Sequence, residues 1–174
     1  MRMPKMPMLA LLAAGLLAGC TTTAGSSSAP PPQSVDFAVT PCFGSCPDFS
    51  ITLSADGQGV YNGGGFVKVK GTHRFTASPA EVQAVFARLA PFRPTGEVRY
   101  DYSNCPVPVS TDSPSVNVRW KAAAGEDALS WYRGCRVPAL MKIKPELQDA
   151  WKELPLDELV GTAENRFEYQ PRGG

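Results

Sequence analysis

The chain has 174 residues, 43% of them hydrophobic and 19% charged, with a formal net charge of +1. That length holds about one domain, and no repeat of roughly 20–50 residues runs through it. No basic patch or acidic tail stands out, which argues against nucleic acid as a partner, because phosphate binding needs clustered positive charge.

The first element is an apolar run, Met8 to Gly19, behind Arg2 and Lys5. It is shorter than the about 20 residues that a membrane-spanning helix needs. A charged start, an apolar middle and small residues before a cut site describe an export signal over residues 1–19. Its ending, Leu17-Ala18-Gly19-Cys20, resembles the lipobox of bacterial lipoproteins. That resemblance implies diacylglycerol on the Cys20 sulfur, cleavage before Cys20 and a third acyl chain on the new amine. Several chains make a stable bilayer anchor, since each buried methylene adds about 0.8 kcal/mol. Thr21 follows the cysteine where Asp favours the inner membrane, so the resemblance implies an outer-membrane anchor facing the periplasm. Loss of Arg2 and Lys5 leaves 15 basic against 16 acidic residues, a formal charge of −1.

Residues 20–34 read as the lipidated cysteine and a flexible tether. Thr21 to Ser34 has no aliphatic side chain larger than Ala and cannot offset the entropy of ordering. As a coil it spans roughly 20 Å, more where Pro30 to Pro32 stiffen it. A single domain is expected over 35–169, with a disordered tail at 170–174.

Within the domain, Val35, Phe37 and Val39 alternate, as do Phe49, Ile51 and Leu53, which predicts two half-buried strands. Asp56-Gly57 is a hairpin signal and Val60-Tyr61 begins the return strand. Phe66 to Phe75 reads as a third strand after a turn or bulge at Asn62 to Gly65. Ser78, Pro79 and Glu81 spell a capping box with proline at the first helical position. Val82, Val85, Phe86 and Leu89 then form one apolar helical stripe. Glu97 to Ser113 reads as irregular. Val116, Val118 and Trp120 alternate, and Leu129 and Trp131 return after a turn. A final helix is expected from about Pro138 to Leu159, interrupted by Pro145 and Pro155, with Leu147, Trp151 and Leu154 on one face. The predicted class is α+β: a mainly antiparallel sheet built from hairpins, one helix between the strand groups and a C-terminal helix on one face.

"TPCFGSCPDFSITLSADGQGVYNG" resembles a domain-of-unknown-function family of bacterial secreted proteins and lipoproteins with a P-C-F-G-x-C-P signature. The matching residues are Pro41, Cys42, Phe43, Gly44, Cys46, Pro47, Phe49, Asp56, Gly57 and Tyr61. "STDSP", Ser110 to Pro114, is similar to a weaker stretch of that family. The resemblance covers most of Val35 to about Trp131. It implies a fold and a compartment, with no enzymatic activity, cofactor or catalytic residue to transfer.

Besides Cys20 there are four cysteines, Cys42, Cys46, Cys105 and Cys135. An even number outside the cytosol favours disulfides, and three pairings exist on paper. Gly44 between Pro41 and Pro47 lets a short loop close, so Cys42–Cys46 is the local solution and Cys105–Cys135 remains. The different-class reading is a thiol-redox or copper site. Copper chaperones of the thioredoxin type carry C-x-x-x-C-P with a distant histidine, which would make Cys42, Cys46 and His73 the ligand set. A reactive thiol wants a helix after the motif, whereas an alternating strand follows Pro47. A four-cysteine zinc site lacks the paired short spacings of a zinc ribbon.

His73 is the only histidine, so no second one supports a Cys-His or Ser-His-Asp arrangement. Spacing alone does not argue for paired carboxylates. The long irregular segment makes Tyr100, Tyr102 and Asp112 the contact-surface candidates. The expectation is a membrane-anchored envelope lipoprotein, binding or scaffolding without catalysis or cofactor. Its partners would be the bilayer, through acylated Cys20, and an envelope protein or ligand.

Overall fold

Alternation of apolar and polar side chains builds a single sheet. The computed structural model describes residues 31–142 and 144–166. The signal segment, Cys20, the tether up to Pro30 and the expected tail lie outside the described residues. The strands are β1 (Ser34–Val39), β2 (Phe49–Ser54), β3 (Gln58–Gly63), β4 (Gly71–Thr76), β5 (Glu97–Tyr100), β6 (Ser115–Ala122) and β7 (Gly125–Tyr132). They form one seven-stranded sheet in the order β4-β3-β2-β1-β6-β7-β5. Every pairing is antiparallel except β5 with β7.

Register brings the alternating residues onto one face. Phe37 sits between Ile51 and Val118, and Val39 between Phe49 and Val116. All six are buried, as are Val35, Leu53, Trp120, Leu129 and Trp131. The Asp56-Gly57 turn links β2 to β3. Asp56 Oδ1 accepts the Gln58 N–H at 3.1 Å, and Gly57 adopts φ 89°, a region that glycine enters without steric cost.

Helical segments cover the apolar face. Helix α1 (Pro79–Leu89) starts on the capping box: Ser78 accepts the Glu81 N–H, and Glu81 accepts the Ser78 N–H at 2.6 Å. Val82, Val85 and Leu89 are buried and Phe86 packs at the edge of the same core. A 3-10 turn, Ala90–Phe92, follows. The C-terminal covering layer is not one helix. It comprises α2 (Pro138–Lys142), α3 (Lys144–Gln148), a 3-10 turn (Ala150–Glu153) and α4 (Asp157–Val160). Pro145 falls in the first turn of α3 and Pro155 separates the 3-10 turn from α4, where neither can donate a backbone hydrogen bond. Leu147, Trp151 and Leu154 are nonetheless all buried. Trp151 meets Phe49 edge-on at 5.4 Å, and an ion pair between Arg88 and Glu153 ties α1 to the last layer.

Two strand expectations are corrected. The strand expected over Phe66 to Phe75 is the shorter β4, because Lys68 and Val69 donate their N–H groups to Val160 and Leu159 at 3.0 and 2.9 Å, not to β3. The segment from Glu97 is not irregular throughout. It opens as β5, with Val98 and Tyr100 opposite Leu129 and Trp131. Asp127 fixes the approach to β5 by accepting from Gly96 N and Arg93 Nε, both at 2.7 Å.

The opposite sheet face is polar, and no helix among the described residues covers it. A shallow hollow of about 550 Å³ runs across it, past Asp36, Thr52, Asn117 and Arg119. Its charges neutralise one another: Lys121 pairs with Asp36 at 2.8 Å and Arg119 with Glu126 at 2.9 Å. Among the described residues, no helix is long and apolar enough to cross a membrane.

Candidate functional site

Both disulfide-bearing loops lie at one end of the sheet. Cys42 joins Cys46 in the loop after β1, and Cys105 joins Cys135 across the loops after β5 and β7, each with Cα atoms 5.7 Å apart. The short loop takes Gly44 at φ 145° and leaves Phe43 87% exposed. Strand β2 begins three residues after Cys46, so no helix N-terminus follows to lower the pKa of a freed thiol.

The longer bridge belongs to a densely bonded corner. Val109 pairs with Cys135. Ser110 N donates to Gly134 O at 3.0 Å and Arg133 N to Pro114 O at 2.9 Å. The Tyr132 hydroxyl donates to Ser110 O at 3.0 Å and accepts from Ser113 N at 3.2 Å. Trp131 Nε1 donates to Cys135 O at 2.8 Å. A Cβ on Gly134 would overlap the Ser110 carbonyl and the Tyr132 ring, so only glycine lets these segments touch. This lacing carries the 110–114 segment alongside Arg133.

Arg133 stands between two hollows. One, of about 330 Å³, is lined by Ser45, Cys46, Pro47, Trp151 and Lys152 as well as Arg133. The other, of about 250 Å³, gathers Ser110, Ser113, Arg133, Arg136 and Lys144. Burial pushes the Arg133 guanidinium below its usual pKa, against an upward pull from Asp149. Burial also lowers Lys144, and the neighbouring Arg133 and Arg136 cations lower it further. Asp149 is the nearby carboxylate, and it pairs with Lys152 at 3.2 Å. The corner can therefore attract and hold negative charge.

The structure brings Tyr102 and Asp112 near each other beside this corner and packs Tyr100 against the core. Tyr100 packs against the core from β5. Tyr102 is 60% exposed and stacks on Tyr132, with ring centroids 4.9 Å apart and hydroxyls 3.1 Å apart. Asp112 sits at φ 65° and accepts from the Thr111 hydroxyl at 2.7 Å, in the loop that skirts the corner. His73 lies on edge strand β4, half-buried beside Tyr61, with Nε2 3.2 Å from Lys70 O. Among the described residues, no group of three or more His, Cys, Asp or Glu side chains is placed to hold a metal ion.

Arg133, Arg136 and Lys144 were not singled out from the sequence. A local signal exists: residues 133–144 hold four basic residues and no acidic one. The near-neutral total conceals it.

The model of the DUF6438 domain, a domain of unknown function, matches residues 33–154. The chain belongs to this family. The DUF6438 match takes in both disulfides, all seven strands and the Arg133 corner. No curated protein and no solved structure matches the chain.

Proposed function

We propose that this DUF6438 protein is a lipid-anchored lipoprotein of the bacterial envelope, held on the periplasmic face of the outer membrane, whose domain binds a ligand or partner without catalysing a reaction. The observation that carries the anchor is the apolar run ending in Leu17-Ala18-Gly19-Cys20. Acylation of Cys20 and the short polar tether would hold the domain within roughly 20 Å of the bilayer. The disulfides fit an exported protein, since such bonds persist in oxidising compartments. Binding is supported by the Arg133 corner, whose cations form no ion pair with a described residue. The test is Cys20→Ala in the full chain. It should abolish metabolic labelling by palmitate and move the protein from the membrane pellet to the soluble fraction. A variant that stays membrane-bound overturns the anchor.

The C-x-x-x-C spacing favours a second reading, thiol-redox or copper handling by Cys42 and Cys46. Mild reduction would then expose a low-pKa thiol pair that binds copper. A pair that resists mild reductant supports the structural staple.

A further inference from the structure

The polar sheet face and the Arg133 corner both carry charge, but they differ in how it is compensated. On the sheet face Lys121 and Arg119 each have a carboxylate partner. At the corner, Arg133, Arg136 and Lys144 form no ion pair with any described residue. Arg133 Nε is buried and has no hydrogen-bond partner among the described residues. A buried donor of a charged group left unpaired is costly, and native structures rarely keep one without a ligand, ion or strain to explain it.

The neighbouring hydroxyls are weakly engaged. Ser110 Oγ reaches Gly134 O at 3.4 Å and Ser113 Oγ reaches Thr111 O at 3.5 Å, both long hydrogen bonds that are easily exchanged. Met141 closes the same hollow with an apolar wall. Asp149, the one carboxylate that acts on both Arg133 and Lys144, is paired with Lys152. The hollow therefore keeps an excess of positive charge over about 250 Å³.

We propose that Arg133, Arg136 and Lys144, with the hydroxyls of Ser110 and Ser113, form a binding site for a phosphate monoester group. Three cations overmatch a single carboxylate, whereas a phosphate monoester brings nearly two negative charges and three acceptor oxygens. Arginine forks suit its geometry and lysine supplies a point charge. The same chemistry is offered by a phosphorylated lipid headgroup and by a soluble phosphate ester. The corner sits on a domain tethered to a bilayer, so both sources are within reach. This inference rests on the reading of the domain as a binding module.

The test uses the protein as expressed from the full sequence, purified in neutral detergent. Isothermal titration with inorganic phosphate forms one arm, and titration with phosphatidate mixed into phosphatidylcholine micelles forms the other. The variants are R136Q/K144Q, which leaves the half-buried Arg133 in place, and R133Q. Binding in the phosphate arm, weakened about tenfold for each cation removed, supports the site and a soluble ligand. Binding in the phosphatidate arm alone, with the same loss, supports the site and a lipid ligand. The Lys144 ammonium, observed by NMR after isotopic dimethylation, should titrate at higher pH once the anion is bound. No binding in either arm, or equal binding by wild type and R136Q/K144Q, overturns the proposal. Pelleting of the same variants with cell membranes, before any detergent is added, reports the Cys20 anchor separately, so failure of the anion site and failure of the anchor reading are distinguishable.

Discussion

Removing the two disulfides separately should have unequal consequences. Cys105→Ala/Cys135→Ala opens a loop of 31 residues and Cys42→Ala/Cys46→Ala a loop of five. In the chain-entropy account these loops contribute about 3.7 and about 2 kcal/mol. The structure adds to the longer bridge's share. Cys135 is fully buried, so its truncation also removes packed sulfur from the core. Cys46 is only half-buried, in an exposed loop. The described 135 residues have an unfolding entropy of about 0.28 kcal/mol/K, from about 2.1 cal/mol/K per residue. Loss of the Cys105–Cys135 bridge should then lower Tm by about 13 °C, and loss of the Cys42–Cys46 bridge by about 7 °C. The assay is thermal unfolding of both double variants by circular dichroism, with a reversible rescan. An equal fall, or a larger one for the Cys42/Cys46 variant, refutes the reasoning. It would mean that the short loop orders the sheet end by more than loop closure.

Two further predictions concern buried polar contacts and pH. Tyr61 is fully buried, and its hydroxyl donates to Val69 O at 3.1 Å, with Leu159 O 3.4 Å away. Burial, with the Asp48 charge, pushes its pKa up to about 12. Tyr61→Phe should cost about 1 kcal/mol in urea unfolding, and the wild type should show one tyrosine ionising near 12 by ultraviolet titration. Asp127 is held below its usual pKa by the Gly96 N–H and the Arg93 guanidinium. A depressed folded-state pKa stabilises the fold above the ordinary carboxylate range and loses that contribution as pH falls through the lowered value. Stability should therefore decline below about pH 4, and Asp127→Asn should flatten that decline. An unchanged acid limb would show that Asp127 is not a source of it.

The strands with clean alternation were legible because each repeat of two places a whole run on one face. Val35-Phe37-Val39, Phe49-Ile51-Leu53 and Val116-Val118-Trp120 are all buried as read. The capping box was legible for a similarly local reason, since Ser78 and Glu81 are three residues apart and meet in one helical turn. The C-terminal layer was misread as a single helix because its apolar spacing is helical while its prolines divide it. Strand β5 was missed because four residues carry too little pattern, and its parallel partner β7 lies some thirty residues onward. The corner's cations were missed for a related reason. Formal charge counts residues without saying which of them lack partners.

Local chemistry by itself determined the class, the hairpin turn at Asp56-Gly57, the α1 start and the core residues, because each depends on neighbours a few positions apart. It also offered Cys42–Cys46 as the short closure. Tertiary structure alone decided which strands became neighbours, where the C-terminal pieces docked and how Gly134 let the 110–114 segment reach Arg133. It also decided that Arg136 and Lys144 would line the same hollow, neither in an ion pair with a described residue. Those outcomes depend on backbone contacts between segments distant in the chain, which no local pattern encodes.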